Sequence, residues 1–332
     1  MNKIKTPPFL KIGNTIGITA PSFGCSEEPY FSRFKEAQNR LKELGYNFKI
    51  GETVFKNDGI GISTNPKDAA KELTEFYCDS SIDIIISASG GELMCETLSY
   101  VDFEKIKNAP PKWFMGHSDN TNFIFPLVTA CGVKSIYGNN ICGFGRTWGT
   151  PQYDALAILE GKKNSVCGYS EFYLSDENPP EKKELKIYPK NNCDVNFSGI
   201  LIGGCLDVLD NLCGTRFDFM KKFNSENQNI IWALEACDLN PMDIRRSVWH
   251  LKESGWFEKA SGFVIGRPLT AWKQNFLGVN QYNAIIDILK DLNVPIILDA
   301  DIGHINPDMP LVMGAETTVK VENGNINCIF EL

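Results

Sequence analysis

Between Thr15 and Tyr137 the chain alternates short apolar runs with amphipathic stretches. Few folds other than a parallel sheet flanked by helices accommodate that rhythm. Thr15–Ala20 reads as a buried strand ending at Pro21-Ser22. A helix entered at Pro29 would carry Phe31, Phe34, Ala37, Leu41 and Leu44 on one face, with Gly45 past its end. Asn47–Ile50 is a second strand. Asn65 is placed to cap a helix with Pro66 at its first position and Ala69, Leu73 and Phe76 as its inner stripe. Ile82–Ser87 predicts the third strand, running into Ser89-Gly90-Gly91, and Trp113–Gly116 the fourth, followed by a helix over about 120–130. Val133–Tyr137 is the fifth.

Beyond Gly161 the texture changes. Ser170–Asn192 is polar and rich in Lys, Glu and Pro, the composition of a linker or a long surface loop. Strands are then expected at Gly199–Ile202, Ile230–Leu234, Gly262–Gly266 and Val294–Leu298, with helices near 244–253 and 282–292. Thr317–Val321 and Ile326–Phe330 around Asn323-Gly324 read as a β-hairpin. The expected class is α/β: an N-terminal parallel sheet with helices on both faces, plus a smaller C-terminal α/β domain. The expected domains are 1–165, 166–196 as a linker or active-site loop, and 197–332.

Composition narrows the function by exclusion. The 332 residues carry a net charge of −8, and no basic face of the kind that grips nucleic acid is visible. The eleven cysteines are scattered with no C-x-x-C pair, a poor framework for disulfides or zinc, so no metal site is expected. No apolar run approaches the roughly 20 residues of a membrane span, and no signal-peptide core precedes Pro7-Pro8. A cytoplasmic protein is expected, with neither a membrane nor a nucleic acid as partner.

In an α/β sheet ligands bind beyond the carboxyl ends of the strands. Gly90-Gly91-Glu92, Gly116-His117-Ser118-Asp119 and Glu235 all follow predicted strands, and His304 lies in a loop shortly after one. A strand, a tight turn and an immediate helix would present the Ser118 hydroxyl at the sheet's edge beside the helix's first amides, the logic of a nucleophile elbow. The plainer reading makes Ser118 or Asp119 a helix cap. A serine nucleophile needs a base, and the chain has three histidines. His117 adjoins Ser118 and would line a pocket or pack. His250 lies on a predicted helix, in a core or interface role. Elimination leaves His304, flanked by Gly303, Pro307 and Pro310. Glu235 at the end of an apolar strand could orient an imidazole, with Asp238 as competitor. Gly90-Gly91 could offer an amide to an oxyanion or form an ordinary turn. A thiol enzyme is the weaker alternative, since only Cys237, near Glu235, lies close to these groups.

Taken in order, these pieces resemble the LD-carboxypeptidase family of serine peptidases, which includes the microcin C self-immunity peptidases. Gly17–Ser22, Ser89–Glu92, Gly116–Asp119, Tyr137-Gly138, Gly199–Gly204 with Leu206, Leu234-Glu235, and Gly303-His304 with Pro310-Leu311 and Gly314 follow in the family's order. The resemblance implies a Ser–Glu–His triad of Ser118, Glu235 and His304, with the backbone amides of Gly91 and Asp119 as oxyanion hole. It implies Gly90, Glu92 and His117 around the substrate pocket, a homodimer, and no cofactor. The implied reaction is hydrolysis of a peptide or peptide-like amide through an acyl-enzyme, with the L–D bond of a murein tetrapeptide as first substrate. An aminoacyl or peptidyl sulfamoyl adenylate is the alternative, and a non-enzymatic small-ligand-binding α/β protein the reading of another class. His117 replaces the motif's tyrosine, and Cys205 stands where an asparagine is usual. No tryptophan lies between Trp148 and Trp232 to stack on a nucleobase, which leaves Phe172, Tyr173 and Tyr188 as aromatic platforms.

Overall fold

The computed structural model describes residues 4–174, 178–189 and 194–332. Part of the polar stretch expected as an active-site loop, 175–177 and 190–193, lies outside the described residues. The chain divides into two compact units. The first comprises Asn2–Lys163, Pro310–Val312 and Leu332, and the second Asn164–Met309 with Met313–Glu331.

In the first unit the strands are β1 (Thr15–Thr19), β2 (Asn47–Ile50), β3 (Ile84–Ser87), β4 (Trp113–Gly116) and β5 (Ser135–Tyr137). They pair in parallel, β2 to β1 to β3 to β4 to β5. β3 and β4 are buried along their whole length, which is why they read as continuous apolar runs rather than alternating ones. The crossovers carry helices α1 (Tyr30–Glu43), α2 (Pro66–Cys78), α3 (Met94–Leu98), α4 (Phe103–Asn108), α5 (Thr121–Thr129), α6 (Ile141–Phe144) and α7 (Thr150–Leu159). α1 packs against α6, while α2 packs against α3 and α4. The Asn65 side chain accepts the Asp68 amide at 3.0 Å, with Pro66 in the first turn, as the local sequence predicts.

One expected face is narrower than its apolar residues imply. Phe34, Ala37 and Leu41 of α1 are buried, but Phe31 and Leu44 are 39% and 45% exposed. A 3.6-residue period drifts across a 14-residue helix, so residues at its ends rotate off the stripe that meets the sheet.

The second unit holds β6 (Ser165–Cys167), a small ribbon of β7 (Glu171–Phe172) and β8 (Glu181–Lys182), β9 (Lys186–Tyr188), β10 (Val195–Cys205), β11 (Ile230–Glu235) and β12 (Ala260–Gly266). After them come the ribbon β13 (Asn275–Phe276) with β14 (Val279–Asn280), and β15 (Ile296–Ala300). β16 (Leu311–Met313) returns to the edge of the first sheet beside β5, and β17 (Glu316–Glu322) with β18 (Asn325–Phe330) ends the chain. The large sheet runs β6-β18-β17-β10-β11-β12-β15-β9. Its centre, β10 to β15, is parallel, and its flanks are antiparallel. Its helices are α8 (Leu206–Leu212), α9 (Met220–Glu226), α10 (Pro241–Glu253) and α11 (Asn283–Leu289). Glu322 faces Asn325 across a two-residue turn in which Asn323 and Gly324 both have positive φ, the hairpin geometry that an Asn-Gly pair favours.

All ten described cysteines are free thiols, six of them buried. No described helix is long and apolar enough to cross a membrane.

Candidate active site

In the first unit β4 ends at Gly116 and the chain turns sharply. His117 is extended, Ser118 takes φ +63°, and a single 3-10 turn (Ser118–Asn120) leads into α5. A non-glycine residue in the left-handed region stores strain of order 1–3 kcal/mol that the surroundings must hold. Three neighbours hold it here. The Ser118 amide donates to the Tyr137 hydroxyl at 3.0 Å, and the His117 amide donates to Asn140 Oδ1 at 3.0 Å. Asn120 Nδ2 donates to the carbonyls of Ser89 (2.8 Å) and His117 (2.9 Å), tying the glycine turn to the serine turn. At the start of the 3-10 turn and of α5, the residues in the cap positions are His117 and Asn120, and neither makes a side-chain capping hydrogen bond.

Asp119 does something else. Its buried carboxylate accepts from the Ser22 hydroxyl, the Met94 amide and Asn122 Nδ2, pinning three segments under the turn. Burial pushes its carboxyl above the ordinary range, and those hydrogen bonds pull it back. The His117 ring lies 4.9 Å from that of Tyr137, so it packs on the strand end. Glu92 is exposed.

Gly90 lies against the serine. A Cβ there would stand 3.0 Å from Ser118 Cβ and 3.4 Å from its Oγ. Gly90→Ala would therefore press on the hydroxyl without needing a new backbone conformation, since its φ is not positive. We expect kcat/KM to fall on the order of 10- to 100-fold, the scale of a sub-ångström to 1 Å misplacement, with the thermal midpoint nearly unchanged. Unaltered kcat/KM would show that Gly90 does not set the serine's position.

In the second unit Glu235 closes β11, paired with Cys205 of β10. It is 2% exposed and sits between two glycines. A Cβ on Gly303 would stand 2.7 Å from Glu235 Oε2, and one on Gly266 would stand 3.0 Å from Glu235 Cβ. Gly303, at φ +107°, turns the chain so that His304 faces the carboxylate, Nδ1 to Oε2 at 2.8 Å. With the Nδ1 proton given to Glu235, the neutral ring carries its lone pair on Nε2. Burial opposes charge on His304, but the Glu235 carboxylate and the contact with Cys237 outweigh it, so its pKa lies well above the ordinary value.

The structure thus brings Glu235 and His304 together and leaves the competitors out. Asp238 is exposed, and its backbone amide donates to Asp207 Oδ1 at 2.9 Å. His250 is not a core residue: it is half-exposed on α10 and bonded to Asp210 at 2.7 Å. Sequence reasoning missed Tyr137 and Asn120 as supports of the turn, because nothing local shows what a strand-end hydroxyl will meet. Among the described residues of either unit taken by itself, no three His, Cys, Asp or Glu side chains converge as a metal requires.

The sequence pattern of the LD-carboxypeptidase N-terminal domain matches residues 16–138, and that of the C-terminal domain matches residues 198–319. A candidate carboxypeptidase of Vibrio cholerae is 24% identical over 332 residues, covering 95% of this chain and 94% of its own. The candidate carboxypeptidase YocD of Bacillus subtilis is 24% identical over 326 residues, covering 95% and 96%. Among solved structures, the microcin C7 self-immunity protein MccF in complex with aspartyl sulfamoyl adenosine has a TM-score of 0.82 at 21% identity, covering 98% of both chains. An MccF-like protein of Bacillus anthracis has a TM-score of 0.82 at 21% identity, covering 98% of this chain and all of its own. These likenesses show the fold. The class is an α/β fold of the kind shared by a family of peptidases. The chain belongs to the LD-carboxypeptidase family, which its two domain matches jointly span.

Proposed function

We propose that the protein is a serine carboxypeptidase-type hydrolase of a peptide or peptide-like amide, with Ser118 as nucleophile, His304 as general base and Glu235 as its orienting acid. The observation that carries this reading is the buried Glu235–His304 hydrogen bond of 2.8 Å, which fixes the imidazole's tautomer and supports its charged form. Ser118 Oγ attacks the carbonyl carbon and its proton passes to His304 Nε2. The amides of Gly91 and Asp119 receive the developing oxyanion. The C–N bond then breaks as His304 returns the proton to the leaving nitrogen, and water releases the acyl group from Ser118 by the same steps. The triad requires no cofactor. The protein would work in the cytoplasm as a homodimer, which light scattering on the purified chain tests.

A base must be neutral to accept a proton. With His304 held above its ordinary value of 6.5, kcat/KM should rise with pH through an apparent value higher than that. Linkage has the opposite sense. The pair stabilises the fold fully below the unfolded value, and that contribution is lost as pH rises through the folded one. A kcat/KM profile with its acid limb at or below 6.5 would contradict the assignment of His304 as base.

The first substrate class is the murein tetrapeptide, cut at its L–D bond. A specific feature favours weighing the sulfamoyl adenylates beside it. A cavity of about 220 Å³ lies beyond the carboxyl ends of β12 and β15, lined by Trp272, Tyr282, Lys186 and Arg267 among others. Phe172 also borders it, but is no open platform: its ring is 3% exposed, under the Arg267 guanidinium at 4.3 Å and against Trp272 at 5.3 Å. Trp272, which lies outside the stretch where the stacking tryptophan was sought, supplies an aromatic wall. Product analysis with a murein tetrapeptide beside an aspartyl sulfamoyl adenosine decides. Cleavage of the nucleotide alone, with KM raised several-fold by Trp272→Ala, would assign the second class. Binding of either ligand with no turnover would leave a small-ligand-binding protein.

A further inference from the structure

The polar composition around Lys183 predicts a solvated loop, yet its ammonium group is among the most buried charges in the chain. The Lys183 side chain is 3% exposed and lies 2.9 Å from Asp301 Oδ2; the Asp301 side chain is wholly buried. Asp301 Oδ1 is already held by Arg267 Nη2 at 2.5 Å, and Arg267 Nη1 donates to the Asp299 carbonyl at 2.7 Å. One arginine neutralises one aspartate. A second buried cation from another segment costs several kcal/mol of desolvation; the buried Asp299 carboxylate balances its charge, but charge balance alone does not account for a cation drawn from this segment.

Its place in the chain does. Asp301 stands at the base of the loop that carries His304, closed by the Met309 amide on the Asp301 carbonyl at 2.7 Å. The segment bearing Lys183 grips that loop at further points. The Tyr169 amide donates to Asp301 Oδ2 at 2.8 Å, and the Tyr173 amide donates to the Asn306 carbonyl at 2.8 Å. Contacts thus fall on both sides of His304, at 301 and at 306, while Gly303 beside it supplies no side chain to brace the turn.

We propose that Lys183 is a positioning residue for His304: by holding Asp301 at the base of the 301–309 loop, it makes docking of its own segment a condition for a correctly aimed imidazole. The proposal rests on the reading of His304 as general base, and its first test needs no substrate. Two effects of removing the ammonium group have opposite signs. A lost cation, acting only through space, makes protonation of His304 easier. A loosened loop weakens the bond to Glu235 and makes it harder.

The experiment follows the three histidines by NMR in protein labelled with ¹⁵N-histidine, as wild type, Lys183→Met and Lys183→Arg. The expected result for Lys183→Met is a fall in the His304 titration midpoint towards the ordinary histidine value, with the resonances of His250 on α10 unmoved. Turnover of the tetrapeptide or sulfamoyl adenylate should drop on the order of tenfold or more in kcat, with KM altered less than about twofold, and Lys183→Arg should restore both. A midpoint that stays or rises in folded Lys183→Met overturns the proposal, because it leaves Lys183 a charge or a brace without influence on the base. Should Lys183→Met not fold, Tyr173→Pro removes the amide that grips Asn306 without burying an unpaired charge. The same fall is expected there, and an unmoved midpoint overturns the proposal equally. If the midpoints fall while even the wild type turns over neither substrate, the positioning role stands and the proposed activity is what fails.

Discussion

Ser118→Ala should leave a folded protein whose kcat is lower by about 10⁴-fold or more, the scale on which loss of a triad nucleophile acts in well-characterised serine hydrolases. The substitution removes one hydroxyl. The turn is held from outside the side chain, by the Tyr137 hydroxyl on the Ser118 amide and by Asn120 on the His117 carbonyl. The strained backbone therefore persists in the variant, and its thermal midpoint should stay within a few degrees of wild type. Substrate should still bind, so KM or a directly measured Kd would change little. A variant that keeps its turnover would end the proposal that Ser118 is the nucleophile. Labelling of the wild type by a serine-reactive phosphonate, lost in Ser118→Ala, is the positive counterpart.

The second large effect is expected at Glu235. Glu235→Gln keeps the shape of a side chain that is 2% exposed and wedged between Gly266 and Gly303, but removes its charge. Two consequences follow. The imidazolium formed during attack loses its counter-charge, and the amide NH₂ can favour the wrong tautomer, which together cost on the order of 10³–10⁴ in kcat in comparable triads. The acid limb of kcat/KM should also move to lower pH, because the Glu235 carboxylate is the largest of the influences that raise the His304 pKa. Measuring both in one pH series separates the role from a packing defect. A lower midpoint of thermal unfolding with an unshifted acid limb would make Glu235 a structural carboxylate only.

Several features were legible because their causes are local. Asn65-Pro66 opens α2, with the asparagine accepting the Asp68 amide, since cap and first turn lie within four residues. Asn323-Gly324 closes the last hairpin for the same reason. The apolar runs of β3 and β4 announce strands buried on both faces. The turn at Ser118 could be placed between a strand and a helix, but its φ of +63° could not be read, because that strain is imposed by Tyr137 and Asn120 from other parts of the chain.

The amino-acid sequence by itself determined the α/β class, the strand ends where chemistry could gather, and a short set of candidates: one turn serine, three histidines and two nearby acids. Tertiary structure alone decided among them. It placed Glu235 rather than Asp238 on His304, left His250 half-exposed with Asp210, and carried Phe31 and Leu44 off the buried face of α1. It also buried Lys183 from a stretch whose composition reads as solvent. Phe31 and Leu44 leave the face through the drift of the helical period, and the physical reason is common to the other three. Helix and strand periodicity, caps and turns depend on neighbours within a few residues, whereas which carboxylate meets which imidazole, or which lysine loses its water, depends on segments tens to more than a hundred residues apart, as 69 and 118 positions separate these pairs.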